Sequence, residues 1–256
     1  MDQRNLPIGV MDSGSGGISV LREAVKVLPR ESFIYYGDHG NAPYGVKEPE
    51  EIRALTWKVV SFLRERGIKA LLVACNTASS AALEMLRSRL EIPVLGMEPA
   101  VKPALSRHED GVVVVMATQA TLEQERFHHM LDSFHNPEWV VPLPCVGLME
   151  LVEGGHFRDR TIREYLTGLF APFGGRRIEA VVLGCTHYPF VKEAIRDILG
   201  DVTLVDGNEG TVHHLKHVLE SRGLDTSRRT AGTVEYHSSS ADPDTLAFLK
   251  RLMETP

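Results

Sequence analysis

Two periodicities alternate along this chain from end to end. Short runs of β-branched, aliphatic and aromatic residues at 8–11, 33–36 and 71–74 are each followed by a segment with apolar positions at helical spacing, over 18–28, 50–66 and 78–90. Strand, helix and strand in succession form the pattern of a parallel sheet covered on both faces. A further series of runs near 93–96, 111–116, 140–141, 181–183 and 202–205 predicts a second α/β region. From about residue 211 come a helix with Val212, Leu215, Val218 and Leu219, a strand at 233–237 and a last helix through Leu246, Leu249 and Leu252. Three elements are few for an independent domain, so this tail is expected to return to the first region. The chain is therefore read as α/β with two parallel-sheet lobes. The first takes residues 1–98 plus 211–256 and the second residues 99–210, with crossings near 93–103 and 206–210.

At one point the pattern repeats in detail. Ile68-Lys69-Ala70-Leu71-Leu72-Val73-Ala74-Cys75-Asn76-Thr77 aligns without a gap on Ile178-Glu179-Ala180-Val181-Val182-Leu183-Gly184-Cys185-Thr186-His187, sharing Ile, Ala and Cys. After each cysteine the helical spacing resumes, with Ala78, Ala81, Ala82, Met85 and Leu86 in the first copy and Val191, Ala194, Ile195, Ile198 and Leu199 in the second. Asn76 or Thr77 suits the cap of the first helix, and Pro189 the first turn of the other. One strand-to-loop unit thus occurs twice. This predicts two similar lobes related by pseudo-symmetry, each placing a cysteine between a strand's carboxyl end and a helix start. Across a cleft, such thiols would reach both sides of one substrate carbon, which is what a two-base racemase requires.

Composition narrows the function classes. A net charge of −6 with scattered basic residues leaves no electrostatic footprint for nucleic acid or an anionic membrane. The amino terminus lacks a basic segment followed by an apolar one, and the longest aliphatic run, 112–117, is too short to cross a bilayer, so cytoplasmic residence is expected. Three cysteines in 256 residues argue against a disulfide framework and for free thiols in a reducing compartment.

The polar motifs fall at the ends of predicted strands, where ligands gather in open α/β sheets. Asp12-Ser13-Gly14-Ser15-Gly16-Gly17 follows the first strand, and its glycines suit either a plain turn or a close approach to an anion. A dinucleotide fingerprint fails at Ser19, and no Gly-Lys-Ser/Thr follows for a phosphate loop. A single cysteine is more often a small buried hydrophobe than a reactive group, which is the reading for Cys145. Two cysteines at matching positions favour chemistry for Cys75 and Cys185. His187, two residues after Cys185, could carry a proton beside it. No C-x-x-C or H-E-x-x-H occurs, so no metal is expected, and His128, His129, His213 and His217 are read as surface residues.

Taken jointly, Asp12-Ser13-Gly14 with Gly16-Gly17, Pro43-Tyr44-Gly45, Ala74-Cys75-Asn76-Thr77-Ala78-Ser79, Leu151-Val152-Glu153 and Gly184-Cys185-Thr186-His187-Tyr188-Pro189 resemble the motifs of the cofactor-independent glutamate racemases. The motifs span residues 12–189 in the family's order, and the cysteine units also occur in the wider aspartate/glutamate racemase superfamily. The resemblance implies Cys75 and Cys185 as the acid/base pair, Asp12 and His187 as their helpers, and Glu153 close to His187. It implies substrate binding by Asp12, Ser13, Pro43, Tyr44, Gly45, Asn76, Thr77, Thr118, Thr121, Thr186 and His187. It also implies no cofactor, a homodimer, and a supply of D-glutamate to peptidoglycan. The chain departs from the usual pattern at His39, Asn41, Gln124, Phe127 and Gly207.

On this reading one thiolate removes the α-proton while the opposite thiol delivers another, so the pair needs one charged and one protonated sulfur. Three alternatives stand beside it. One is racemisation of aspartate or another superfamily substrate, since a pocket discriminates a methylene by only about 1–3 kcal/mol. Another is nucleophilic hydrolysis by Cys185 and His187. The last is non-catalytic amino-acid binding.

Overall fold

A computed structural model describes residues 2–106 and 109–254. Its strands in chain order are β1 (Ile8–Asp12), β2 (Phe33–Gly37), β3 (Ala70–Val73), β4 (Val94–Gly96), β5 (Val112–Ala117), β6 (Val140–Pro144), β7 (Ile178–Leu183), β8 (Thr203–Asp206) and β9 (Val234–Ser238). The chain divides into two compact units, Met1–Met97 with Asn208–Pro256, and Glu98–Gly207.

The first unit is built on a sheet of order β4-β3-β1-β2-β9, with every pairing parallel. Its central strands β1 and β3 are buried along their whole length, as strands covered on both faces must be. The C-terminal strand β9 lies beside β2, with Phe33 opposite Val234 and Gly37 opposite Ser238. The run at 93–96 was expected to open the second series of strands, and that expectation is corrected. β4 is the edge strand of the first sheet, paired with β3 through Leu71 and Val94. The helix Asn76–Arg89 is a crossover just long enough to return the chain to the strand beside the one it left.

The second unit has the order β6-β5-β7-β8, again wholly parallel. Alternate residues of its central strand β5 serve opposite faces. Val112, Val114 and Met116 join a core with Leu148, Ile162, Leu166 and Tyr188, whereas Val113, Val115 and Ala117 join one with Val101, Leu122 and Phe127. Phe127, one of the departures noted above, is thus a core residue here. Cys145 is also buried in this unit, where its thiol donates to the Leu143 carbonyl at 3.3 Å and burial pushes its pKa up, as suits a structural thiol. Part of the 93–103 crossing is the short helix Val101–Leu105.

Among the described residues no helix is long and apolar enough to cross a membrane.

Candidate active site

In both units the cysteine follows the strand next to the unit's first strand. Ala74, just before Cys75, donates its N–H to the Met11 carbonyl at 2.8 Å. Gly184, just before Cys185, donates to the Met116 carbonyl at 2.7 Å. The strands beneath match as well, with Met11 opposite Val73 and Met116 opposite Leu183. The sequence repeat is therefore a repeat of backbone frame. Gly184 lacks a side chain for a local reason, because a Cβ there would lie 2.7 Å from the Met116 carbonyl oxygen.

In the first unit, Cys75 is buried at 5% exposure and is itself the N-cap of the helix Asn76–Arg89. Its backbone is extended, and its Sγ accepts the Ala78 N–H at 3.4 Å. The expectation of a cap at Asn76 or Thr77 is corrected: both lie inside the helix, because the sulfur already occupies the capping position. Ser13 stands at hydrogen-bond distance from this sulfur, its Oγ 3.4 Å from Sγ. Asp12, wholly buried, accepts the Gly14 N–H at 2.8 Å and so shapes the turn that carries Ser13. Pro43 precedes Tyr44 and Gly45 in a tight 3-10 turn. The Tyr44 phenol donates to Asp38 Oδ2 at 2.6 Å, and Asn41 donates to Asp38 Oδ1 at 2.9 Å. Burial pushes the Tyr44 phenol far above its ordinary pKa, reinforced by the Asp38 hydrogen bond and by the negative charges of Asp38, Cys75 and Asp12. It is therefore a neutral hydrogen-bonding group at working pH.

The second unit arranges Cys185 differently. This thiol, 9% exposed, lies 3.6 Å from His187 Nδ1, and His187 Nε2 lies 2.7 Å from Glu153 Oε1. Glu153 ends the helix Leu148–Glu153. Burial by itself would lower the His187 pKa, but the hydrogen bonds to Cys185 and Glu153, with their negative charges, hold it well above 6.5. Thiol, imidazole and carboxylate thus form one chain, with a partner at each ring nitrogen. Thr118 caps the helix Gln119–Glu123 by accepting the Thr121 N–H at 3.2 Å, and the two hydroxyls are 2.9 Å apart. Thr186 is buried beside Cys185 in sequence. The helix expected directly after Cys185 is also corrected. Residues Tyr188–Val191 form a 3-10 turn and the α-helix starts only at Lys192, since Val191 leaves helical geometry. Among the described residues no group of His, Cys, Asp and Glu could hold a metal ion.

The His187 shift sets a sign for stability. Its contribution is fully present below its ordinary value of 6.5 and is lost as pH rises through the raised folded value. Glu153→Gln removes one source of that rise, so its stability should fall less steeply than the wild type's as pH increases above neutrality. Urea unfolding across that window measures the two slopes, and equal slopes would mean that His187 is not held charged by Glu153.

Asp38, His39 and Ser238 were not singled out from the sequence as site residues. Asp38 follows the carboxyl end of β2, which was a usable signal. Ser238 lies 199 positions from His39, and nothing local links the two.

Comparison with known proteins agrees with this geometry. The Asp/Glu/Hydantoin racemase family matches residues 8–215. A glutamate racemase of Clostridium perfringens is 46% identical over 255 residues, covering 99% of this chain and 98% of that protein. Among solved structures, glutamate racemase isoform RacE1 from Bacillus anthracis is similar with a TM-score of 0.86 at 29% identity, covering 98% of this chain and 95% of the other. Glutamate racemase from Francisella tularensis, solved in complex with D-glutamate, has a TM-score of 0.85 at 26% identity, with coverage of 98% and 95%. A match over most of the chain, on a fold whose two sheets each present a cysteine from the same backbone frame, establishes that this protein is an isomerase of the Asp/Glu/Hydantoin racemase family.

Proposed function

We propose that the protein interconverts L- and D-glutamate by proton transfer at Cα between two thiols, Cys75 and Cys185. The observation that carries the proposal is the matched frame: Ala74 and Gly184 make the same hydrogen bond to the neighbouring strand, and each is followed by a buried cysteine. Glutamate as the substrate is supported by relatives named glutamate racemase and by the D-glutamate bound in the similar Francisella tularensis structure.

In each direction a thiolate takes the α-proton and becomes a thiol, while the opposite thiol gives its proton to the other face of the carbon and becomes a thiolate. The configuration inverts, charge is conserved, and the sulfurs exchange states for the reverse reaction. Because the α C–H is a weak acid, developing charge must be met by oriented hydrogen bonds in a site closed to water. The His187 ring, backed by Glu153, stabilises the thiolate form of Cys185 and returns a proton to it. Cys75 is served by groups of another kind, the Ser13 hydroxyl and the Ala78 N–H. Ser13, Pro43, Tyr44, Gly45, Asn76, Thr77, Thr118, Thr121 and Thr186, with Asp12 and His187, hold the substrate. Neutral donors among them suit a ligand that brings its own opposite charges. The proposal needs no cofactor. It includes a homodimer in the cytoplasm that supplies D-glutamate for peptidoglycan, resting on the family resemblance.

The test is incubation of the purified protein with L-glutamate in D2O, without added cofactor, followed by circular dichroism and α-proton NMR. Loss of optical activity together with deuterium at Cα is expected. Retention of both signals with either enantiomer of glutamate, but turnover of aspartate, would move the substrate one methylene shorter.

A further inference from the structure

The loop bearing Ser13 is held at each of its next two residues, and one of the holding groups is itself braced from the far end of the chain. Gly14 is fixed through its N–H to Asp12 and through its carbonyl, which accepts the Tyr35 phenol at 2.6 Å. Ser15 is fixed by His39, whose Nε2 lies 2.8 Å from Ser15 Oγ. The other ring nitrogen, Nδ1, lies 3.0 Å from the Gly37 carbonyl and 2.9 Å from Ser238 Oγ on β9. A carbonyl can only accept, so in the neutral ring Nδ1 carries the proton and Nε2 accepts from the Ser15 hydroxyl. Each nitrogen then has a defined task.

Two further features show that the space around this ring is built for it. A Cβ on Gly37 would lie 2.4 Å from His39 Cε1 and 2.5 Å from the Gly14 carbonyl oxygen, so the absence of a side chain there lets ring and loop approach. The segment after β9 also grips the turn beside the ring, since Gly40 donates its N–H to Ser239 Oγ at 2.9 Å and Ser239 donates to the Gly37 carbonyl at 3.2 Å. Ser238 Oγ accepts the Ser240 N–H at 3.0 Å, which orients its lone pairs before it meets the ring.

We propose that His39 is a positioning residue for Cys75: it ties Ser15 to Ser238 and thereby holds the Ser13 hydroxyl beside the Cys75 sulfur. The C-terminal strand then governs the environment of one thiol without touching it. The consequence for racemisation rests on the two-thiol reading, whereas the consequence for the thiol itself does not.

The test is therefore alkylation of the protein by iodoacetamide, with the rate at Cys75 read by peptide mass spectrometry and Cys185 in the same molecule as internal reference. Asparagine in His39→Asn reproduces the Nδ1 end of the ring and cannot reach Ser15, whereas glutamine in His39→Gln reaches as far as Nε2. His39→Asn is expected to lower the Cys75 rate by about fivefold, the scale of one lost hydrogen bond to the thiolate, with Cys185 unchanged and His39→Gln closer to wild type. Ser238→Ala, which removes one hydroxyl at the far side of the ring, should move Cys75 in the same direction by a smaller factor and serves if the His39 variants fail to fold. An unchanged or raised Cys75 rate in the folded variants overturns the proposal, as does a parallel change at both thiols, which would signify general loosening. In turnover, His39→Asn should lower kcat by a larger factor than it raises KM. A wild-type protein that racemises nothing, combined with a Cys75-selective fall in alkylation in His39→Asn, would refute the functional reading and leave the positioning role standing.

Discussion

Replacing Cys75 or Cys185 with serine is expected to cut racemisation by about a thousandfold in both directions, within the range that a positioned acid or base supplies. Serine keeps a hydroxyl of similar size in the same frame, so the fold should survive, and thermal melting can verify this. What serine lacks is an accessible anion, because an alcohol is far harder to deprotonate than a thiol. The two variants should also differ from each other in an informative way. Each retains one working sulfur, which can still remove the α-proton from the enantiomer that presents its C–H to that side. Solvent deuterium should therefore enter one enantiomer without inversion in Cys75→Ser, and the opposite enantiomer in Cys185→Ser. Proton NMR of each enantiomer incubated separately in D2O measures this. Exchange that stays equal for both enantiomers in either variant would mean that a single group serves both faces, and the two-thiol scheme would be wrong. Loss of activity confined to Cys185→Ser would point to chemistry carried by Cys185 and His187 alone.

The second large effect concerns stability. Lys69, directly before β3, is buried to 1% side-chain exposure against Glu31 at 4%. Its ammonium donates to Glu31 Oε2 at 2.5 Å, to the Arg4 carbonyl at 2.5 Å and to the Leu224 carbonyl at 2.9 Å. The second Glu31 oxygen accepts the Thr226 N–H at 2.8 Å. Every donor of the ammonium is used, and the pair ties the segment 224–226 to the start of the first unit. Lys69→Met keeps the apolar stem and removes the charge, leaving a buried carboxylate with one backbone donor. A loss of about 3–5 kcal/mol is expected, the usual cost of breaking a buried pair from one side. Adding Glu31→Gln should recover part of that loss, because the stranded charge is then gone. Urea unfolding followed by Trp57 fluorescence in a Trp139→Phe background reports the first unit alone. A loss below about 1 kcal/mol in Lys69→Met would show that water enters and rescues Glu31.

The amount of this protein legible in its sequence differs from element to element. The strands β1, β3, β5 and β7 were visible because runs of aliphatic residues bounded by glycine or polar positions have few other uses in an α/β chain. The cysteine repeat was visible because the constraint is local: a strand end, a sulfur and a helical stripe lie within about twenty residues. The neighbour of a strand is not a local property. The edge strand Val94–Gly96 reads like any short buried strand, and only the crossover packed over β3 assigns it to the first sheet. The start of the helix after Cys185 was misjudged because Pro189 fits a first turn as well as it fits a 3-10 turn. The choice is made by the bonds that Tyr188 and Phe190 donate to Cys185 and His187.

The side chains of the candidate site divide along the same line. From the chain alone came the residue types and their proximity in sequence: two cysteines in like settings, a glycine-rich turn after Asp12, and a histidine beside the second cysteine. The fold decided which group meets which. It placed Ser13 at hydrogen-bond distance from the Cys75 sulfur, and it brought Glu153 to 2.7 Å from His187 across 34 positions. It also set Ser238 beside His39, a pairing with no trace in composition or spacing. The physical reason is the reach of each interaction. Backbone propensity and side-chain periodicity act over a few residues and are written in the order of the letters. Hydrogen bonds between side chains act over about 3 Å of space, and only packing of sheet and helix determines which distant letters come that close.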